Sequence, residues 1–352
     1  MKILMAEHRY GNTESRAIGA TLAGCEVCWV EPYWAEGLGR LRKGIQFKVR
    51  NGPDIARWNK KIIETSASFK PDAVWVESPL FIYPETLEFV KKRYGSTIVC
   101  AYSDDPRDPN KRSRFFDNAK HLFDLIFLTK DELAQAFLSE GVNAVGKFWK
   151  GFDPIRIKPT RINAIQKTNR ELNVVFIGHA DYVNGKSARQ NIFERVADRF
   201  DNFILYGKSW GTVKVSEKLR SKIQPFQLDG DEYPKVISNS AIALQIPSRL
   251  ARDTHSSRSI EIPACGTLMI AERTTDHLML FEEDKEAVFF SSVDELLEKI
   301  GFYLEREDER KRIAAAGYRR CIAGGYSNYD RMREMLKLVD TVRGRHWVIG
   351  KR

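Results

Sequence analysis

The sequence lacks a long hydrophobic run and contains few cysteines. Its longest apolar stretches, such as Leu122 to Leu128, have the length of a strand or are interrupted by charge, whereas a membrane-spanning helix needs about 18 apolar residues. The five cysteines are an odd number, which argues against a framework of disulfide bonds. The apolar run in residues 1–7 is too short for a signal peptide. We therefore expect a first strand at the N-terminus and a cytoplasmic protein.

The chain has no basic arm despite its net charge of +10. Residues 1–160 carry 25 Lys and Arg against 20 Asp and Glu, and the remainder has the same excess. This even distribution argues against a nucleic-acid binder. One run between Glu36 and Asp54 is basic and free of acids, and it is either a solvated face or a contact with an anionic acceptor or the inner face of a membrane. Its basic residues are Arg40, Arg42, Lys43, Lys48 and Arg50.

Short apolar runs alternate with helical patterns, and this alternation occurs twice along the chain. Runs such as Ala73 to Glu77 and Thr97 to Tyr102 are rich in Val, Ile and aromatic residues, which is typical of buried parallel strands. The predicted fold class is α/β, with two Rossmann-like, doubly wound domains that face each other across a cleft. The expected parts are a first domain (1–156), a linker (157–171), a second domain (172–327) and a C-terminal helix (328–352).

The most informative segment follows a predicted strand near residue 246. Ser256 and Ser257 are typical N-cap residues, and a helix N-terminus with free amides can bind an anion. Arg258 can hold a phosphate with its guanidinium group. Glu261 shares the helix face of Arg258 and could accept hydrogen bonds from two ribose hydroxyls. Spacing alone gives equal weight to a capping box at this helix start.

Two further loops after strands suit a bound diphosphate. Gly178 ends the first strand of the second half and permits close backbone approach. Lys186, with Arg189, precedes the next helix and is expected to face the diphosphate. The sequence Asp229-Gly230-Asp231 spells a metal-binding Asp-x-Asp string, but such residues also form turns and caps, and we favour the turn.

The block Arg258-Ser259-Ile260-Glu261-Ile262-Pro263-Ala264-Cys265-Gly266 resembles the Arg-x-x-Glu-x-x-Ala-Cys-Gly block of CgeB-like glycosyltransferases of the spore maturation type. These proteins are related to the family 1 and family 4 glycosyltransferases of the GT-B fold. The resemblance covers most of the chain and is weak over residues 30–60. It also includes the segments 102–106, 150–154, 281–289, 294–296, 303–304 and 312–317.

The resemblance implies transfer of a sugar from a nucleotide diphosphate sugar, bound by domain 172–327, to a hydroxyl of a glycan, lipid-linked or protein acceptor on domain 1–156. Helix 328–352 would cross back to the first domain, and no metal or other cofactor would be needed. The second glutamate of the family's Glu-x7-Glu motif, which touches ribose, corresponds to Glu261, and the first corresponds to Asp253, a departure that leaves the sugar and the stereochemistry open. The expected donor-binding residues are Gly178, His179, Lys186, Tyr206, Gly207, Lys208, Asp253, Ser256, Ser257, Arg258 and Glu261.

The base that activates the acceptor is expected in the first domain. Asp104 and Asp105 follow the strand Thr97 to Tyr102 at its carboxyl end, although an Asp turn before a proline explains them equally well. His8 after the first strand is a second candidate, and Glu77 is a third.

Other functions fit the same scaffold. A sugar-nucleotide hydrolase or epimerase would need no acceptor, and a non-catalytic nucleotide- or glycan-binding protein would be consistent with Asp253 in place of glutamate. The hypothesis that the protein binds nucleic acid is supported by its net positive charge alone. A dehydrogenase is disfavoured because no Gly-x-Gly-x-x-Gly follows a predicted strand.

Overall fold

The computed structural model describes residues 1–32, 40–77, 79–105, 108, 113–160, 173–183 and 186–349. The chain divides into two compact units: unit 1 comprises Met1–Trp149 with Asn328–Arg352, and unit 2 comprises Lys150–Ser327. Residues 161–171 of the expected linker lie outside the described residues.

The expected end of the first domain at residue 156 is wrong. The amide of Lys150 donates to Nε2 of His255 (3.2 Å), and the amide of Phe152 donates to the carbonyl of Tyr326 (3.2 Å). These bonds hold residues 150–156 within unit 2.

Unit 1 contains a six-stranded parallel sheet in the order β2-β1-β3-β4-β5-β6. The central strands are buried on both faces, which explains their unbroken apolar sequences. The strands are β1 (Lys2–Met5), β2 (Glu26–Trp29), β3 (Ala73–Val76), β4 (Thr97–Tyr102), β5 (Leu125–Leu128) and β6 (Val145–Lys147). The helices are α1 (Gly11–Leu22), α2 (Arg40–Val49), α3 (Pro53–Phe69), α4 (Pro84–Tyr94), α5 (Arg114–Ala119), α6 (Ala134–Ser139) and, from the end of the chain, α14 (Asn328–Ile349).

The C-terminal helix packs in unit 1 against α1. Gly19 makes this close approach possible, since a Cβ at that position would lie 2.7 Å from the Cα of Tyr329. The side chains of Met332, Met335 and Val339 join the core beneath the sheet.

Unit 2 contains a second six-stranded parallel sheet in the order β11-β10-β7-β12-β13-β14 and a two-stranded hairpin, β8-β9. The strands are β7 (Val174–Ile177), β8 (Tyr182–Val183), β9 (Lys186–Ser187), β10 (Phe203–Tyr206), β11 (Ile223–Gln224), β12 (Ile242–Gln245), β13 (Leu268–Glu272) and β14 (Val288–Phe290). The helices are α7 (Gln190–Arg199), α8 (Glu217–Lys222), α9 (Glu232–Ser238), α10 (Arg258–Ala264), α11 (Thr275–Leu280), α12 (Val293–Glu305) and α13 (Glu307–Ala323).

In both units the carboxyl ends of the parallel strands share one edge, and the candidate site residues follow those ends. None of the helices in the described ranges is long and apolar enough to cross a membrane.

Helix α13 packs closely against α10 and the loop before β14 at Gly317. A Cβ at Gly317 would lie 2.4 Å from the carbonyl oxygen of Glu286 and 3.3 Å from Cβ of Pro263. A side chain there would therefore force the backbone apart.

We expect Gly317→Ala to lower the free energy of unfolding by about 1–3 kcal/mol through overpacking. Gly301→Ala is the matched control, because Gly301 also lies inside a helix but a Cβ there meets no atom within 4 Å, so the change should stabilise the chain by up to about 1 kcal/mol. Urea unfolding of both variants measures the difference. Equal stability of the two variants would contradict the close packing.

Candidate active site

One cavity of about 210 Å³ in unit 2 brings together six of the expected donor-binding residues. It opens where β7 and β10 end and is bounded by the loop after β11. The expected residues in its wall are Gly178, His179, Tyr206, Gly207, Lys208 and Arg258, and the other lining residues are Ile177, Phe226, Gln227, Leu228 and Tyr233.

The turns after β7 and β10 are hydrogen-bonded to each other. The amide of Gly178 donates to the carbonyl of Tyr206 (2.9 Å), and the indole of the fully buried Trp210 donates to the carbonyl of Gly178 (3.0 Å). A Cβ at Gly207 would lie 2.2 Å from that same carbonyl oxygen. The segment Tyr206–Trp210 therefore forms a hydrogen-bonded cavity floor in which Gly207 has no room for a side chain.

Two arginines come together beside this floor. Arg189 is buried and donates to the carbonyls of His179 and Ile246, both at 2.7 Å. Gly178 has no side chain here, and a Cβ on it would lie 3.7 Å from Cζ of Arg258. Within the described part of the chain, the buried Nε atoms of Arg189 and Arg258 have no hydrogen-bond partner. Each guanidinium group thus has one donor that no described protein group satisfies, and Arg258 also lies in the cavity wall.

Burial and several nearby charges act on the pKa of Arg189. Burial, and also the charge of Arg258, lower the pKa of Arg189 to about 10, although Asp181, Asp253 and Glu272 act in the opposite direction. An added anion would favour the charged form of Arg189.

The start of α10 does not present the free amides that the sequence led us to expect. The hydroxyl of Ser256 accepts from the amide of Arg258 (3.2 Å), and that of Ser259 accepts from the amide of Ser256 (3.0 Å). Ser257 occupies the N-cap position but makes no capping bond with its side chain. The capping-box alternative is therefore wrong, and positive charge near this helix comes from Arg258.

A buried polar network holds the loop that carries Arg258. His255 accepts the Lys150 amide at Nε2, so its Nδ1 carries the proton and donates to Asp276 (2.7 Å). His277 contacts the Ser259 hydroxyl at Nε2 (2.8 Å) and the carbonyl of Glu272 at Nδ1 (2.7 Å). Burial lowers the pKa of His277 to about 4, so this imidazole is neutral at physiological pH. The loop is thus fixed by side chains that are themselves satisfied.

Glu261 is bonded to a residue that the sequence gave no reason to select. The Tyr233 hydroxyl on α9 donates to Oε2 of Glu261 (2.6 Å). Burial raises the pKa of Glu261, and the Tyr233 hydrogen bond and the charge of Arg258 oppose this rise.

Two other expectations for this site change. Lys186 lies in the hairpin strand β9, and the residue at the N-cap of α7 is Arg189, so Lys186 does not begin the helix as expected. Asp229 and Asp231 flank Gly230, whose φ is +54°, in the turn before α9. No cluster of three or more His, Cys, Asp or Glu suited to a metal ion occurs among the described residues.

In unit 1, Glu77 is a structural residue and not a free base. Its buried carboxylate is paired with Arg16 and accepts from Thr13 (3.0 Å) and Trp75 (3.2 Å). Burial alone would raise the pKa of Glu77, but the charge and hydrogen bonds of Arg16 and the other donors bring it below its ordinary value.

The other candidate bases share the same edge of the sheet. Asp105 is buried, whereas His8 and Asp104 are partly exposed. Burial lowers the pKa of His8, and the charge of Glu31 only partly opposes this. Within the described residues, the His8 imidazole makes no hydrogen bond. A neutral, unbonded imidazole can accept a proton.

The basic run is only partly available as a surface. Arg50 is buried: it donates to the carbonyl of Phe47 (2.8 Å) and its Cζ lies 4.4 Å from the Phe47 ring centroid. The expectation that Arg50 meets an external partner is wrong. Lys48 is exposed. Arg40, Arg42 and Lys43 lie in α2, and their side chains are outside the described part.

Residues 188–337, somewhat less than half of the chain, match the family model described as "Glycosyl transferase-like". This region includes the turn after β10, the loop before α10 and α10 itself. No curated protein is a detectable relative of the chain.

Solved structures match almost the whole chain at low identity. A glycosyltransferase from Rickettsia africae has a TM-score of 0.66 at 14% identity, with 97% of this chain and 98% of that chain covered. Sucrose-phosphate synthase from Thermosynechococcus elongatus has a TM-score of 0.66 at 12% identity, with 98% and 100% covered. HepE from Anabaena in complex with UDP-glucose has a TM-score of 0.65 at 14% identity, with 97% and 100% covered. These matches show the GT-B fold that the sequence predicted.

Proposed function

We propose that the protein transfers a sugar from a UDP-sugar to an acceptor hydroxyl and that the diphosphate is bound by Arg189 and Arg258. The observation that carries the assignment of the diphosphate site is the position of Arg258 in the wall of the cavity, with Arg189 close enough for the two charges to interact. The neighbouring cavity of about 210 Å³ accommodates the base and ribose beside Phe226 and Tyr206. UDP is chosen because the HepE structures contain UDP or UDP-glucose.

In this reaction the acceptor oxygen forms a bond to the anomeric carbon while the bond from that carbon to the diphosphate oxygen breaks. The diphosphate leaves with the electron pair, and the arginines stabilise its growing negative charge. We also propose that the reaction needs no metal or other cofactor, because the two guanidinium groups provide the positive charge. We retain the CgeB-like subtype as a proposal, supported by the block Arg258 to Gly266.

Asp253, Lys186 and His179 remain proposed donor contacts. His179 and Lys208 line the cavity and are exposed. Asp253 lies close enough to Arg189 to raise its pKa and could accept from a sugar hydroxyl.

Arg258→Ala should weaken UDP binding at least about tenfold, because a hydrogen bond to a charged group contributes about 1.5–3 kcal/mol. Binding of uridine should change much less, since it has no phosphate. Isothermal titration of both ligands provides the measurement. Arg195→Ala is the matched control: among the described residues this exposed arginine on α7 pairs only with the exposed Asp294, and such pairs contribute little. Equal loss of UDP and uridine affinity would contradict the diphosphate role.

We propose that unit 1 supplies the base that takes the acceptor proton, with His8 favoured over Asp104 and Asp105. His8 is partly exposed, its lowered pKa keeps it neutral, and its imidazole makes no bond within the described residues. Asp105 is buried, which makes it the weakest of the three candidates.

His8→Asn should reduce acceptor-dependent release of UDP by about 10²–10⁴-fold while UDP affinity stays unchanged. Because the His8 pKa lies below its ordinary value, the wild-type rate should be constant above pH 7 and fall only as acid protonates the imidazole. His121→Asn replaces an exposed histidine outside this edge and serves as the control. A normal rate in His8→Asn with a large loss in Asp104→Asn would assign the base to Asp104 and refute His8.

We further propose that the protein is cytoplasmic and contacts an anionic membrane surface through α2, which would suit a lipid-linked acceptor. Ile45 and Val49 are one helical turn apart and each is 53% exposed, so α2 presents apolar side chains to solvent. The exposed Lys48 lies beside them, and the helix contains no acidic residue. Apolar side chains flanked by cations suit the interface of an anionic bilayer.

The double variant Ile45→Ser/Val49→Ser should bind phosphatidylglycerol-containing vesicles at least about tenfold more weakly than wild type, since each buried CH₂ group contributes about 0.8 kcal/mol. Cosedimentation measures this binding, and pure phosphatidylcholine vesicles should bind little. The control variant Ile322→Ser/Leu338→Ser removes similarly exposed apolar side chains. Failure of the wild type to bind anionic vesicles, or its concentration-dependent dimerisation through α2, would contradict the membrane contact.

A further inference from the structure

Tyr233, which lines the candidate donor cavity, is paired with Glu261. Tyr233 lies on α9 and lines the cavity beside Gly178 and Arg258. Its hydroxyl donates to Oε2 of Glu261 on α10 at 2.6 Å. No motif in the sequence selected Tyr233, because residues on two different helices meet only when both pack on the same sheet.

The hydrogen bond makes the two oxygens of Glu261 unequal. Oε2 is occupied by Tyr233, whereas Oε1 accepts no hydrogen bond from any residue that the structure describes. An ionised carboxylate can only accept hydrogen bonds, so a partner for Oε1 must be a donor such as a hydroxyl. The phenol also restricts rotation of the carboxylate, which defines the direction in which Oε1 accepts.

The surroundings of Glu261 are polar but sparse in positive charge. Arg258 on the same helix favours the ionised form, while the charge of Asp153 opposes it. Cys265 lies one turn further along and is buried. Among these neighbours, Tyr233 is the one that donates a hydrogen bond directly to the Glu261 carboxylate.

We propose that Tyr233 is a positioning residue that holds Glu261 with Oε1 directed at the vicinal hydroxyls of the nucleotide ribose. The pair thereby selects ribonucleotides over deoxyribonucleotides. This inference rests on the proposed function, since it assumes that the cavity binds a nucleoside diphosphate. A site built to bond a hydroxyl rejects an analogue without it, because its polar group is then left unpaired.

The test is isothermal titration with UDP, 2′-deoxy-UDP and 3′-deoxy-UDP. We expect at least one deoxy analogue to bind wild type about tenfold more weakly than UDP. Tyr233→Phe removes only the hydroxyl. It should reduce the ratio of UDP affinity to deoxy-analogue affinity by at least about threefold, because the carboxylate is no longer oriented. Tyr318→Phe makes the same chemical change on α13, away from the residues that line the cavity, and should leave the ratio unchanged.

A pH profile separates positioning from general loss of structure. The Tyr233 hydrogen bond lowers the pKa of Glu261 against the effect of burial. Without it the pKa of Glu261 rises further, so the loss of UDP affinity on acidification should begin at a higher pH in Tyr233→Phe than in wild type. If the Tyr233 hydroxyl had only a structural role, its removal would not shift the pH at which UDP affinity falls on acidification (the acid limb of the profile).

Glu261→Gln provides a second and independent variant if Tyr233→Phe folds poorly. It keeps the shape of the side chain but adds a donor where the carboxylate only accepts, and it should abolish the discrimination between UDP and its deoxy analogues. Unchanged ratios in Glu261→Gln, or in folded Tyr233→Phe with an unmoved acid limb, would overturn the inference. If wild type binds UDP without discrimination, the positioning role fails and the donor site stands. If wild type binds no UDP, the proposed UDP donor fails as well.

Discussion

The positive charge of Arg189 and Arg258, which lie close to each other, is the feature on which the proposed site in unit 2 depends. Arg189 is buried and bonded to two carbonyls, yet its Nε and that of Arg258 have no partner within the described chain. Such donors are costly to leave unpaired in a protein interior. In the proposed reaction a diphosphate bound at the cavity would lie beside this positive charge and would be the leaving group. On this proposal, the same charge would both bind the donor and assist its cleavage.

The remainder of unit 2 holds these arginines in place. Gly178 and Gly207 bring two strand ends together, and buried Trp210 locks them through the Gly178 carbonyl. Behind the loop before α10, His255 and Asp276 form a buried hydrogen-bonded pair. These groups do not contact the cavity, but they fix the backbone that does, as a preorganised site requires. The close approach at Gly317 supports α10 from its other side.

Much of the fold follows from the sequence, because strands buried on both faces must be apolar throughout, and β4, β5 and β10 occur where the pattern places them. Strands of two or three residues, such as Ile223–Gln224 and Val145–Lys147, are too short to show a pattern. Site residues that follow strand ends were also predictable, and several line one cavity. The contribution of Tyr233 and the structural role of Glu77 could not be predicted, because each depends on a partner distant in sequence, Glu261 and Arg16 respectively. From the sequence, Arg50 is expected to be a surface cation, but in the structure its guanidinium group stacks on the Phe47 ring and is buried.

The most direct test of the central claim is a crystal structure of the protein soaked or grown with UDP. We predict that the diphosphate oxygens lie within about 3 Å of the guanidinium nitrogens of Arg189 and Arg258, with the uracil and ribose in the cavity lined by Tyr206 and Tyr233. UDP bound elsewhere on unit 2, or bound in that cavity with its phosphates directed away from both arginines, would contradict the account.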